Sequence, residues 1–239
     1  MASQLLGSTA KRCDNRSVGV LITDPAGRLL MFDRNTFPPG VAGAAGHIDG
    51  HGDEFDAARA EVSEELGLTV TSLSPVCSGW RDNRCRRLPG AEGIGHYWHI
   101  YRAEVTGTLT PSARETRNVR WLTPADLQTL TARTAAYARG QITNAQFAEA
   151  PGVEPVWVAW LVAAGVVNAT RGDLDNIDRA AARGHGMDRK DSPVTSVRNH
   201  YGPAEITADG KVIAGGKQVS FTGVNADGSF PGEHGEEDQ

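Results

Sequence analysis

The sequence predicts an α+β fold, an α/β/α sandwich in which a mixed β-sheet lies between helices and a polar C-terminal extension follows. Three observations predict it. Two apolar runs, Ser17 to Thr23 and Arg28 to Asp33, flank the turn Asp24-Pro25-Ala26-Gly27, so the chain opens as an antiparallel hairpin. A helical period follows from Asp53 to Leu66. Further strands and helices then alternate irregularly, unlike the regular repeat of a parallel α/β sheet.

The elements follow in order. Thr36 to Gly46 is rich in Pro, Gly and Ala and reads as a loop. The helix after it has Asp53 as N-cap and Gly67 as C-cap, with Phe55, Ala58, Val62 and Leu66 on an apolar face. Leu68 to Trp80 and His96 to Val105 read as strands, with an arginine-rich loop from Arg81 to Gly95 between them. Val119 to Leu122 is a short strand. Thr123 caps a helix from Pro124 to Arg139, and Glu154 to Ala164 is an apolar helix with Pro155 at its start and Gly165 past its end. Beyond Asn168 the chain turns polar and Gly-rich. Asp173 to Arg183 is a short helix, Glu205 to Thr222 a hairpin around Asp209-Gly210, and the last residues read as disordered. The organisation is an N-terminal segment 1–15, a domain 16–167 and an extension 168–239.

The chain has 239 residues, 39% hydrophobic and 22% charged, with a formal net charge of -5. That balance disfavours a stable nucleic-acid partner or a membrane-surface binder, which are usually basic. The longest apolar stretch, Val156 to Val167, is too short to span a bilayer. Met1 to Arg12 lacks a signal-peptide core, so a cytoplasmic location with reduced thiols is expected for Cys13, Cys77 and Cys85. These cysteines, with His96 or His99 near them in sequence, contain no C-x-x-C pair, so inert thiols are expected rather than a zinc site.

Glu61, Glu64 and Glu65 need a reason. Spacings of three and four place Glu61 beside both others on one helix face. Like charges so placed cost roughly 0.2–0.5 kcal/mol per pair. They also stand near the negative end of the helix dipole. A divalent cation reverses the sign of each of these terms, and magnesium favours a few carboxylates, water and substrate phosphates.

The stretch from Gly46 to Leu68 resembles the Nudix box, G-x5-E-x7-R-E-U-x-E-E-x-G-U, where U is aliphatic. Gly46, Glu61, Val62, Glu64, Glu65, Gly67 and Leu68 match, whereas Gly52 replaces the first Glu and Ala60 the Arg. Arg59 sits one residue early. Glu115 ahead of Val119-Arg120-Trp121-Leu122 also stands where many of these proteins have an acidic residue. The resemblance covers roughly Arg16 to Ala164.

It implies a magnesium-dependent (or manganese-dependent) hydrolase that cleaves a phosphoanhydride, or pyrophosphate, bond in a nucleoside diphosphate linked to another group. Gly46, Glu61, Glu64 and Glu65 would hold the metal, with Glu64 or Glu115 as the general base. Arg81, Arg84 and His47 are candidate substrate contacts, within a loop cluster that also holds Arg86 and Arg87. Trp80, Tyr97 and Trp98 are candidate base-stacking or core residues. The partner expected is a small nucleotide-like molecule, and a homodimer is compatible with the sequence. One alternative is a non-catalytic Nudix-like module that binds a nucleotide or a protein. Another is an isopentenyl diphosphate isomerase-like enzyme, suggested by Phe37-Pro38-Pro39-Gly40 and Gly46-His47. Those isomerases use a cysteine in the Gly-rich loop before the His, and this chain reads Gly43-Ala44-Ala45-Gly46-His47.

Overall fold

The computed structural model describes residues 11–36, 38–85 and 87–183, and the backbone of three short strands beyond them. Strand β1 (Arg16–Ile22) is followed by β2 (Leu29–Arg34), β3 (Val41–Ala42), β4 (Ala44–His47) and helix α1 (Glu54–Leu66). Then come β5 (Thr69–Arg81), β6 (His96–Thr106), β7 (Thr116–Leu122), α2 (Pro124–Ala138), α3 (Asn144–Glu149), α4 (Pro155–Ala163) and α5 (Arg171–Arg183). One sheet runs β4-β1-β6-β5, with β1 and β6 parallel and the outer pairs antiparallel. A second, antiparallel sheet runs β3-β2-β7.

Two glycines show which helix covers which face. Gly46 in β4 pairs with Val18, and a Cβ on Gly46 would run into the Glu61 carboxylate of α1. Gly19, one residue along β1, would place a Cβ 3.1 Å from the Trp157 ring of α4. Neighbouring strand residues point to opposite faces, so the sheet lies between α1 and α4. That double cover explains why β1 is buried at every residue after Arg16. It also explains α4, whose residues Pro155 to Leu161 are all buried.

The helix ends follow from their caps. The Asp53 carboxylate accepts from the Phe55 and Asp56 N–H groups at 2.9 and 2.8 Å, and Gly67 ends α1 at φ 69°. Thr123 and Asp126 form a capping box on α2. The Thr143/Gln146 box does the same for α3, a short helix that the apolar period does not reveal.

Three sequence expectations change. The Asp24 turn forms, its carboxylate accepting from the Ala26 and Arg28 N–H groups at 3.0 and 2.8 Å, but β1 and β2 pair only through the Thr23–Leu29 bridge. β1 already has β4 and β6 on its two edges, so β2 passes into the other sheet. The stretch 36–46 read as loop contains β3 and β4. Its small residues fit beneath Trp157, to which a Cβ on Gly43 would stand 2.9 Å away. Phe55 is not a core residue: it is 38% exposed, its ring 5.1 Å from that of Tyr101. The apolar face of α1 is Ala57, Ala58, Val62 and Leu66.

Past the boundary at 168, α5 packs against α2 and α4, with Ile177 buried and Arg139 ion-paired to Asp173. Within the predicted hairpin region the backbone of β8 (Ala204–Ile206), β9 (Val212–Ala214) and β10 (Lys217–Val219) forms an antiparallel sheet. The Asp209-Gly210 turn, the residues expected to be disordered at the C-terminus and residues 1–10 lie outside the described residues.

Removing the buried Ile177 side chain should therefore weaken the whole domain. Ile177→Ala is expected to cost about 2–5 kcal/mol in reversible denaturation. A loss within experimental error would mean that α5 is not part of the cooperative unit.

Candidate active site

β4 and α1 meet at the carboxylates. Glu65, 8% exposed, accepts the Ala45 N–H at 3.0 Å. Glu61, one turn earlier, lies against Gly46, where only a hydrogen in place of a side chain leaves it room. Burial pushes the Glu61 carboxyl up to about 7, with Glu64 and Glu115 adding repulsion. Burial and then the nearby Glu61 push Glu65 up to about 8, against the opposing pull of the Ala45 N–H and of Arg34.

These groups face a cavity of about 320 Å³ lined by Gly46, His47, Glu61, Glu65, Arg84 and Glu115, which joins most of the sequence-predicted site. Two predicted residues stand elsewhere. Glu64 is exposed and outside the lining, although close enough to Glu61 to repel it. Arg81 lies with its guanidinium carbon 4.6 Å above the Trp160 ring and 3.9 Å from the Asp178 carboxylate, so its charge is directed to α4 and α5. Arg86 lies outside the described residues, as does Phe37.

The aromatic candidates divide similarly. Trp80 donates to Asp82 at 2.7 Å, the Tyr97 hydroxyl meets Ser78 at 3.2 Å, and neither lines the cavity. Trp98 does line it but is buried, its ring 6.2 Å from that of Trp160.

Other lining residues had no motif to announce them. Arg34 of β2 and Glu154, the N-cap of α4, enter from the second sheet and a distant helix. Glu154 is buried and its carboxyl is raised by desolvation, with Arg34 opposing the rise. Arg87 reaches the cavity while pairing with Asp49, which also takes Lys11 at 3.2 Å.

The two departures from the box have local explanations. Gly52 adopts φ 101°, where a side chain is strained, so the glycine suits this turn and a glutamate would not. Arg59 is exposed and donates to the Phe55 carbonyl of its own helix at 3.4 Å, so it does not stand in for an arginine at position 60. The arginine whose charge acts on Glu65 is Arg34 instead.

Cys13, His47, Cys85 and His96 converge beside the cavity, which His47, Cys85 and His96 line, although the sequence spacing predicts inert thiols. Cys13 Sγ and His47 Nε2 each stand 3.2 Å from His96 Nε2. Burial raises the Cys13 thiol to about 11 and lowers His96 to about 4, so without another charge present these groups stay neutral. Cys77 lies apart from them, its thiol also raised to about 11 by burial.

Among the described residues no helix is long and apolar enough to cross a membrane. The sequence model of the NUDIX domain matches residues 14–144. Isopentenyl-diphosphate Delta-isomerase of Nocardia farcinica is 30% identical over 151 residues, which cover 58% of this chain and 83% of that protein. Among solved structures, the MutT NUDIX hydrolase from Burkholderia pseudomallei aligns at TM-score 0.40 and 19% identity, over 48% of this chain and 86% of that one. DR0079 from Deinococcus radiodurans aligns at TM-score 0.40 and 22% identity, over 55% of this chain and 80% of that one. The family match takes in more than half of the chain, including the loop and helix whose carboxylates line the cavity, and the chain belongs to the Nudix hydrolase family.

Proposed function

We propose that the cavity is the site of a magnesium-dependent phosphoanhydride hydrolase acting on a nucleoside diphosphate linked to another group, in the cytoplasm. The observation that carries this reading is the packing of the buried Glu65 and the half-buried Glu61 onto one cavity wall, with Glu115 and the Gly46 backbone beside them. Two carboxyls withdrawn from solvent to different degrees and repelling each other fit a divalent cation, and the all-oxygen donors suit magnesium or manganese. When bound, such a cation neutralises phosphate charge and lowers the pKa of an attached water.

In this reading Glu61 and Glu65 hold the cation with the Gly46 carbonyl, and the Ala45 N–H fixes the Glu65 carboxylate. Glu64, exposed and outside the lining, adds charge beside Glu61. Glu115 lines the cavity and is the better-placed base to take the proton of the attacking water. Arg84 and Arg87 hold the phosphate oxygens, where guanidinium groups bind in pairs of hydrogen bonds. Arg34 acts on both Glu65 and Glu154 and contributes to the positive field.

A second reading, isomerisation of isopentenyl diphosphate, is favoured by the curated relative that carries that name. It shares the need to bind a diphosphate. The Gly-rich loop Gly43-Ala44-Ala45-Gly46 before His47 holds no cysteine, which places hydrolysis first.

The test is product release from a panel of nucleoside diphosphate derivatives with and without Mg²⁺. Magnesium-dependent turnover is expected, with Glu115→Gln lowering kcat by about 10²- to 10⁴-fold and Glu64→Gln by less. Larger loss in Glu64→Gln would exchange the two roles. No turnover, together with deuterium uptake into isopentenyl diphosphate from heavy water, would establish the isomerase reading instead. Tight nucleotide binding without any turnover would favour a non-catalytic module.

Stability should report the same cation. A carboxyl raised in the folded state is neutral in both states below its unfolded value of 4.5, and loses stability for the fold as pH climbs through about 7 and 8 for Glu61 and Glu65. His47 and His96, lowered by burial, act in the opposite sense, destabilising the fold as pH drops below about 6.5. Between about pH 6.5 and 8.5 the glutamates therefore dominate, and the Tm of the metal-free chain should fall. Added Mg²⁺ should restore it, most at the high end, and Glu65→Gln should flatten the slope. A Tm that rises with pH in this window would contradict the buried-carboxylate account.

A further inference from the structure

The cluster of Cys13, His47, Cys85 and His96 is separate from the box glutamates in chemistry and in the elements that supply it. We infer that these four side chains form a zinc site of the two-cysteine, two-histidine type, which fastens the arginine-bearing loop to the sheet.

The geometry comes first. One ligand atom from each residue lies within 4.8 Å of all the others, and His96 Nε2 is 3.2 Å from both Cys13 Sγ and His47 Nε2. Around tetrahedral zinc, with bonds of about 2.0 Å to nitrogen and 2.3 Å to sulfur, the ligand atoms stand about 3.3 to 3.8 Å apart. Small side-chain rotations bring the present spacing to that figure.

Protonation is fixed by a donor that cannot do otherwise. Trp98 Nε1, which only donates, meets Asn83 Oδ1 at 3.3 Å, and His96 Nδ1 meets the same atom at 3.0 Å. The facing amide atom is therefore oxygen, and His96 Nδ1 carries its proton. His96 Nε2 is left with a bare lone pair aimed at Cys13 and His47. This is the outer hydrogen bond that a metal-ligating histidine ordinarily makes. Cys13 Sγ in turn accepts the Asn15 N–H at 3.3 Å, a contact that favours a thiolate.

The charge also balances. Two thiolates and Zn²⁺ sum to zero, so the filled site adds no net charge to a place where Cys13 and His96 are 4% and 2% exposed. Sulfur and imidazole donors select zinc over the magnesium expected at the glutamates. Four protein ligands leave no open position, which makes the site structural.

Its position gives it a consequence. Cys13 precedes β1, His47 ends β4, His96 begins β6, and Cys85 lies in the loop between β5 and β6. That loop is otherwise held by the Cys13 N–H to the Leu88 carbonyl at 2.8 Å and by Asn15 Nδ2 to the Gly93 and Gly95 carbonyls at 2.9 and 2.7 Å. Zinc at Cys85 ties the loop down between Arg84 and Arg87, both of which line the cavity.

The test is metal analysis of the full chain purified from zinc-supplemented medium. About one equivalent of zinc is expected, retained in Glu65→Gln and lost when Cys13→Ser and Cys85→Ser are combined. Cobalt put in its place should give tetrahedral ligand-field bands and a thiolate charge-transfer band. Should the double variant fail to fold, thiol labelling of the native chain decides: added Zn²⁺ should shield Cys13 and Cys85 and leave the Cys77 rate unchanged. Absence of bound zinc with labelling insensitive to Zn²⁺ would overturn the inference. So would a Cys13–Cys85 disulfide in chain purified under reducing conditions, or zinc lost in Glu65→Gln but kept in the cysteine variant.

Discussion

The contact between α1 and β4 sets the terms for the rest of the molecule. Glu65 can be buried only because the Ala45 N–H turns toward it, and Glu61 can stand beside Gly46 only because that residue has no side chain. Both demands fall on the same two residues of a four-residue strand. β4 must therefore sit at the edge of the sheet beside β1, with α1 pressed on one face. Gly19 and Gly43 then leave the other face low enough for Trp157, and α4 packs there. The fold tolerates repelling carboxyls because apolar packing on both sides of the sheet is extensive: a buried Val or Leu contributes about 1.5–3 kcal/mol, several times a like-charge pair on a helix.

Much of this was legible in the sequence, and for identifiable reasons. Asp53, Gly67, Thr123 and Pro124 announce their helix ends because capping is local chemistry. The glutamate face is legible because a helix converts spacing into direction. Strand partners were less so. The Asp24 turn looks like a hairpin from sequence, and locally it is one, but pairing is decided by the edges that β4 and β6 already occupy. The approach to β4 and β4 itself read as loop because Gly43 is there for smallness under Trp157 and Gly46 for smallness beside Glu61, not for strand preference.

The box departures show the same division. Read as letters, Gly52 and Ala60 weaken the match; read as structure, Gly52 answers to a left-handed turn at φ 101°. The positive charge that acts on Glu65 comes from Arg34, on a strand of the other sheet, and no spacing rule within the box could point to it. Glu154 is concealed likewise, since an N-cap acid before Pro155 looks complete as a helix signal.

The cysteines were the least legible group of all. Sequence rules for zinc rely on pairs of ligands a few residues apart, because a short loop holds both in place. Here Cys13, His47, Cys85 and His96 are brought together by four separate segments, and the sheet supplies the rigidity that a C-x-x-C loop would otherwise provide. β1 lies between β4 and β6 in register, with Arg16 opposite Tyr97 and Ser17 opposite both His47 and Trp98. That register places His47 and His96 at the same end of the sheet. The loop returning from β5 to β6 then has to pass Cys13, because Leu88 and Cys13 share a backbone hydrogen bond. The same register that puts Gly46 against Glu61 thus puts His47, the next residue, toward the thiols. One short strand therefore serves the carboxylates with one residue and the cysteine–histidine cluster with its neighbour.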